Sequence, residues 1–289
     1  MIPDPRAASD GLRAHVGPLA WRVAAGALVA TGRASPAAIG IAGLVAAPAL
    51  FEPPILLRLL IGASLLPGLA GWLLQRAFAA EVAVRDGVLL LRRRDLEVDV
   101  PGGSIAYVAP WWLPLPGPGF SLALRSGARL RERVQAADPT PILVALAAHG
   151  IEPARTALRH PALAFAHARE AARGGWWRHP LAKFVLFALA PAAVLFNLHQ
   201  HVAYGAALGQ YYLEGPWPWL KTFAFYWSYT ALQLLLYASV WRAIGEAAAW
   251  MAAVVAPARA ARVRRSVEVA CLALFYAGVP ALLTWRFLQ

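Results

Sequence analysis

The residues with the best claim to chemistry lie together in the second half of the chain. Asn197-Leu198-His199-Gln200-His201 is followed by Tyr204, Gln210, Tyr211, Tyr212 and Glu214. Neutral imidazole is a good ligand for zinc, copper or iron, and a carboxylate completes a mixed donor set. His199, His201 and Glu214 are therefore the candidate ligands for a divalent metal. Spacing limits this reading, because residues two apart on a helix point about 200° away from each other. His199 and His201 share one ion only if the backbone between them is extended. If the helix continues, Asn197, His201 and Gly205 align instead, Gly205 and Gly209 form a small-residue strip suited to close packing, and the imidazoles bond water or neighbouring spans. Tyr211 and Tyr212, with Trp111 and Trp112 far upstream, are the aromatic candidates for a ligand or partner surface.

No other constellation competes. The chain has no G-x-x-x-x-G-K-[ST] phosphate loop, no G-x-S-x-G elbow and no H-E-x-x-H helix. Its single cysteine, Cys271, lies inside an apolar run, which excludes a disulfide framework and thiol redox chemistry. Glu246 and Arg242 stand one helical turn apart, and Glu268 can answer Arg264 or Arg265; these are ion-pair spacings. His149, His160, His167 and His179 sit at helix ends, before prolines or on a basic stretch, where caps and surface positions are the ordinary use. The inventory leans away from an enzyme.

The scaffold that must position these residues is membrane-grade. The chain is 60% hydrophobic with a mean hydropathy of +0.53, and its apolar residues fall in long runs. The runs predict an α-helical polytopic protein of about five transmembrane helices, over 36–51, 55–78, 181–197, 219–241 and 266–288. Glu52-Pro53-Pro54 turns the first two into a hairpin, an alanine-rich helix continues the fourth to Pro257, and Pro280 kinks the last. Arg58 reads as a side chain reaching back to the interface. Residues 10–33 place Leu12, Val16, Leu19 and Val23 near helical spacing among arginines, which predicts an interfacial segment.

The formal charge of +12 is concentrated beside these spans, in 1–35, 151–183 and 242–268. That distribution fits a bilayer with anionic headgroups and the positive-inside rule, and it argues against nucleic acid. Trp176, Trp177 and Arg178 before one span, and Arg262, Arg264 and Arg265 before another, are the membrane-anchoring residues. The loop charges orient the chain with its N-terminus cytoplasmic and its C-terminus external, in a bacterial inner membrane.

One stretch is unlike the rest. Glu81–Arg85 and Val88–Arg93 flank the turn Asp86-Gly87, and Leu96, Val98 and Val100 alternate with Asp95, Glu97 and Asp99. Ile105–Val108, then Phe120–Arg125 and Arg129–Val134 across Ser126-Gly127, continue the strands. Asp138-Pro139 opens a helix that Gly150 stops. This order, with its Val100-Pro101 step into Ser104-Ile105-Ala106-Tyr107-Val108, resembles the bacterial pleckstrin-homology-like domain, over about residues 81–150. The resemblance implies a small bent antiparallel sheet or partial barrel closed by a helix, used for binding and assembly, and it carries no catalytic residues to this chain. The stretch has eight arginines against seven carboxylates, a net of +1, too little for a general headgroup clamp. The departure from the resemblance is the proline-rich loop Ala109–Gly119 with Trp111-Trp112, read either as folding over the barrel and the nearby bilayer or as docking a partner.

The expected organisation is a segment and two-helix hairpin over 1–80, a cytoplasmic domain over 81–150, a basic linker helix over 151–180, and a three-helix membrane region over 181–289 with an external loop near 197–218. The function that follows is an integral membrane binding or assembly protein that presents its domain to a protein partner or a second copy of itself. A membrane enzyme or metal-handling protein using the external cluster is the alternative. A transporter component comes third, because only Arg58 is visibly available for a polar path and no internal repeat is detectable.

Overall fold

The computed structural model describes residues 11–172 and 174–288; the start of the 1–80 segment and residue 173 of the expected linker lie outside the described residues. The chain is mostly helical, with four helices long and apolar enough to cross a membrane and a curled antiparallel seven-stranded half-barrel.

The first strand, β1 (Leu12–Gly17), departs from the helical expectation for 10–33. Pro18 marks the change, and the apolar helix α1 runs from there over Leu19–Val45. After a turn at 48–51, α2 (Pro53–Ala77) returns and leads into β2 (Ala79–Arg85). Strands β1 and β2 are antiparallel neighbours, with Leu12 opposite Val82 and Val16 N donating to Phe78 O at 3.0 Å. The apolar hairpin is thus inserted between two adjacent strands of one sheet.

Strands β3 (Val88–Arg93), β4 (Leu96–Pro101), β5 (Ile105–Pro110), β6 (Gly119–Leu124) and β7 (Arg133–Ala136) complete the order β4-β3-β2-β1-β7-β6-β5. Asp86 and Gly87, both at positive φ (50° and 74°), form the two-residue turn that matches the twist of a β2–β3 hairpin. The expected pairing of 120–125 with 129–134 across Ser126-Gly127 is present: Phe120 stands opposite Val134, Leu130 N donates to Leu122 O at 3.0 Å and Arg129 bridges Ala123, although the regular later strand starts only at Arg133. On the wet face Arg92 bridges Glu97 (3.0 Å) and Asp99 (2.7 Å), so the strand charges neutralise one another. Arg93 pairs with Asp95, and this hydrogen bond holds the Asp95 carboxyl below its ordinary range.

The helices α3 (Thr140–Ala148), α4 (Glu152–Ala157) and α5 (Pro161–Ala171) follow. Asp138 opens α3 by accepting from Thr140 N at 2.9 Å, and Ile142, Leu143 and Leu146 fill the half-barrel against Val16, Leu89, Leu91, Ile105, Phe120 and Leu122. Each such fully buried side chain contributes about 1.5–3 kcal/mol.

The second half contains α6 (Ala182–Tyr204), α7 (Gly209–Glu214), α8 (Pro216–Val255) and α9 (Pro257–Trp285). α8 has the length to cross, but it is not among the four helices that are both long and apolar enough. Wide π-helical turns at Leu60–Leu65 and Leu274–Gly278 each end two residues before a proline, at 67 and 280, whose missing N–H loosens the ladder one turn back, and a third lies at Ala182–Leu186.

The chain divides into two compact units. One holds residues 11–35, 60–172 and 246–267: the half-barrel, the adjoining parts of α1 and α2, the helices α3 to α5, the end of α8 and the start of α9. In it α1 and α2 meet closely where Gly32 faces Gly68, and Ser64 Oγ donates to Gly32 O at 2.7 Å. Phe165 and Ala168 of α5 pack with Ala249, Ala253 and Ala260, so the alanine-rich end of α8 is a packing surface. The other unit holds 36–59, 174–245 and 268–288, with Ala188, Leu234 and Phe275 at its centre.

Candidate functional site

The proline-rich loop is built by its two tryptophans in different ways. Trp111 is buried, and its indole N–H donates to Ser121 Oγ at 3.0 Å. Gly119 makes room for that ring, since a Cβ there would run into Val134 O and the Trp111 indole. The Arg22 guanidinium lies 3.9 Å over the Trp111 ring and donates to the carbonyls of Leu113 (3.3 Å) and Leu115 (3.4 Å). Trp111 is therefore a brace rather than the ligand-facing residue its pairing with Trp112 implied. Trp112 and Leu113 remain 61% and 62% exposed, with the Trp112 ring packed edge-on against His160 at 4.5 Å. His160 caps α5 by accepting from Ala162 N at 3.2 Å, and burial lowers its pKa.

A further set of contacts ties the half-barrel to the apolar helices. Trp21 donates to Leu74 O at 3.2 Å and packs on Phe78, while Gln135 donates to Gln75 Oε1 at 3.0 Å. Arg93 reaches Val16 O at 2.7 Å. These residues join the central strands to both ends of the hairpin, and nothing in their linear spacing announces it.

The His/Tyr/Glu cluster does not assemble as a metal site. Residues 197–204 continue α6 as helix, so His199 and His201 leave it in different directions. His199 lies against Tyr226 and Tyr204, the His201 ring Nδ1 is 2.9 Å from Asn197 O, and Glu214 accepts from Tyr204 Oη (3.1 Å) and Gln210 Nε2 (2.9 Å). Among the described residues no group of three His, Cys, Asp or Glu side chains could hold a metal ion. The centre of this segment is instead a buried pair of glutamines. Gln200 donates to Gln210 Oε1 at 3.0 Å and accepts from Gln210 N at 3.2 Å, and Gln210 also donates to Thr222 Oγ1 at 3.1 Å. The amides tie α6 to α7 and the start of α8, and their mutual satisfaction makes the cluster a structural knot. Tyr211 and Tyr212 stay exposed beside it.

The anchoring arginines also separate. Arg262 and Arg265 are exposed, but Arg264 is buried and makes a double hydrogen bond to Glu246 at 2.9 and 3.0 Å. It is withdrawn from headgroups. Arg242 lies 3.5 Å from Glu268, so ion pairs join different helices, which the linear spacing did not announce. Trp176 and Trp177 are exposed, and Trp177 O accepts from Tyr276 Oη at 2.7 Å. No protein-family model, no curated protein and no solved structure matches the chain.

Proposed function

We propose that this chain is an integral protein of a bacterial inner membrane, N-terminus cytoplasmic and C-terminus external. Its half-barrel acts as a pleckstrin-homology-like module that binds and assembles with a protein partner on the cytoplasmic side. Membrane placement is supported by the apolar ribbon along α2, where Leu57, Ile61, Leu65, Leu66, Leu69 and Leu73 are all exposed. Six large apolar side chains on one helix are costly in water and ordinary in lipid. α8 supplies the fifth crossing: at 40 residues it is about 60 Å long, twice the hydrocarbon thickness, so it both crosses and projects.

The observation that carries the docking reading is the exposure of Trp112 and Leu113 on a loop already fastened by Arg22 and Trp111. Such a surface loses little conformational freedom on binding. A second reading has its own support. Arg22 lies on the first turns of α1, so the same loop stands where a headgroup layer would begin, and Trp112 would insert there. A photo-reactive amino acid at position 113, activated in intact membranes, separates them. A protein adduct of defined mass supports the partner, a second copy included. Adducts with lipid alone sink that reading in favour of the interfacial one.

A further inference from the structure

We infer that the unit containing 174–245 and 268–288 holds a binding site for a single anionic phospholipid. The inference rests on the membrane placement proposed above and is independent of what the half-barrel binds.

Two cavities in this unit adjoin. The first, of about 260 Å³, is lined by Arg178, Lys183, Arg242 and Glu268. Lys183 interacts electrostatically with the other three, and its ammonium lies 5.3 Å over the Phe275 ring. Three cations against one carboxylate leave a local charge of +2, with Glu268 already engaged by Arg242 at 3.5 Å. That excess complements a phosphate group, whose oxygens accept from guanidinium and ammonium donors.

The second cavity, of about 460 Å³, is apolar, with Gly40, Leu44, Leu195, Val240, Leu282 and Leu283 in its wall. Tyr237 and Trp241 line both. Along α8 the apolar cavity runs from Val240 to Tyr229, a rise of about 16 Å, close to half of a roughly 30 Å hydrocarbon core. Its length is that of one leaflet's acyl chain. Arg178 and Phe275, which line the charged cavity, directly follow and precede in the chain the mutually packed Trp177 and Tyr276, residue types that settle at the headgroup level. A basic cup opening onto an apolar slot one leaflet deep fits a molecule with a phosphate head and a hydrocarbon tail better than it fits a soluble anion.

Cys271 lines the charged cavity and is the chain's only cysteine, so it reports occupancy without engineering. The full chain is placed in phosphatidylcholine nanodiscs with or without dioleoyl phosphatidic acid, and the rate of Cys271 alkylation by N-ethylmaleimide is measured. Phosphatidic acid slows the labelling. The double variant Arg178→Gln/Lys183→Gln weakens that protection roughly 25-fold, at about fivefold per cation removed, and Val240→Phe, which narrows the slot, weakens it while leaving the cations in place. Equal labelling in the two lipids, or protection that survives both variants, overturns the site. So does equal protection by glycerol phosphate alone, which would make the ligand a soluble phosphate. Failure of the membrane placement is a separate result: the chain would then wash off native membranes at alkaline pH.

Discussion

The Glu246–Arg264 pair makes a prediction whose asymmetry can be worked out in advance. The Arg264 side chain is 3% exposed, whereas that of Glu246 is 28% exposed. Glu246→Gln keeps the shape but leaves a nearly dry guanidinium facing a neutral amide. Removing one partner of a buried pair costs about 3–5 kcal/mol. Arg264→Met removes the buried charge itself and leaves a carboxylate that still reaches water, at a cost of roughly 1–3 kcal/mol for the partner left behind. The double change Glu246→Leu/Arg264→Met exchanges an ion pair for apolar contact and costs little. At roughly 2–4 °C per kcal/mol for a unit of this size, Glu246→Gln lowers the unfolding temperature by roughly 6–20 °C, clearly more than Arg264→Met. Thermal unfolding in mild detergent, followed by circular dichroism, measures the series. The reasoning is refuted if Arg264→Met is the more damaging single change, or if the double variant is as unstable as Glu246→Gln.

Two glycines of the same hairpin should behave oppositely. A Cβ on Gly32 comes within 2.9 Å of the Gly68 backbone and Ser64 O, so Gly32→Ala should destabilise by about 1–3 kcal/mol, while Gly62→Ala, with open space around it, should be neutral or stabilising in the same melts. Trp111→Ala should cost about 3–5 kcal/mol as a buried ring is lost, and Trp112→Ala should leave the melting temperature nearly unchanged. His160 links stability to pH. Its folded pKa lies below the unfolded value near 6.5 because burial disfavours the charged ring. Its contribution is therefore complete above about pH 6.5 and is lost as pH falls from there toward the depressed pKa. His160→Asn keeps a capping acceptor and removes the titration, so its melting temperature should fall less than that of the parent chain over that window; parallel curves would refute the assignment.

Much of the half-barrel was legible locally. Asp86-Gly87 requires a hairpin because both residues must take positive φ, and the alternation of Leu96, Val98 and Val100 with carboxylates orients its strand. The helix opened by Asp138-Pro139 follows from local capping chemistry in the same way. The candidate sites were less legible. The right residue types around His199 and Glu214 were visible, but a continuous helix aims the two histidines apart, and a pair of glutamines takes the centre.

By itself the sequence determined what short-range chemistry decides: apolar runs of membrane length, turns, caps and the alternation of strands. The tertiary structure decided what depends on partners far away in the chain. Leu12–Gly17 has helical spacing among arginines, yet it is the strand between β2 and β7, because the sheet offers it unpaired backbone groups on both sides and Pro18 ends it before α1 begins. Arg22 and Trp111, 89 positions apart, acquire their roles only by meeting. Arg242, Glu246, Arg264 and Glu268 have spacings that suit pairing along each helix, but helix packing gives each carboxylate an arginine from the other helix. A buried charge is settled by which opposite charge is near it in space, and linear spacing carries that information only within a turn or two.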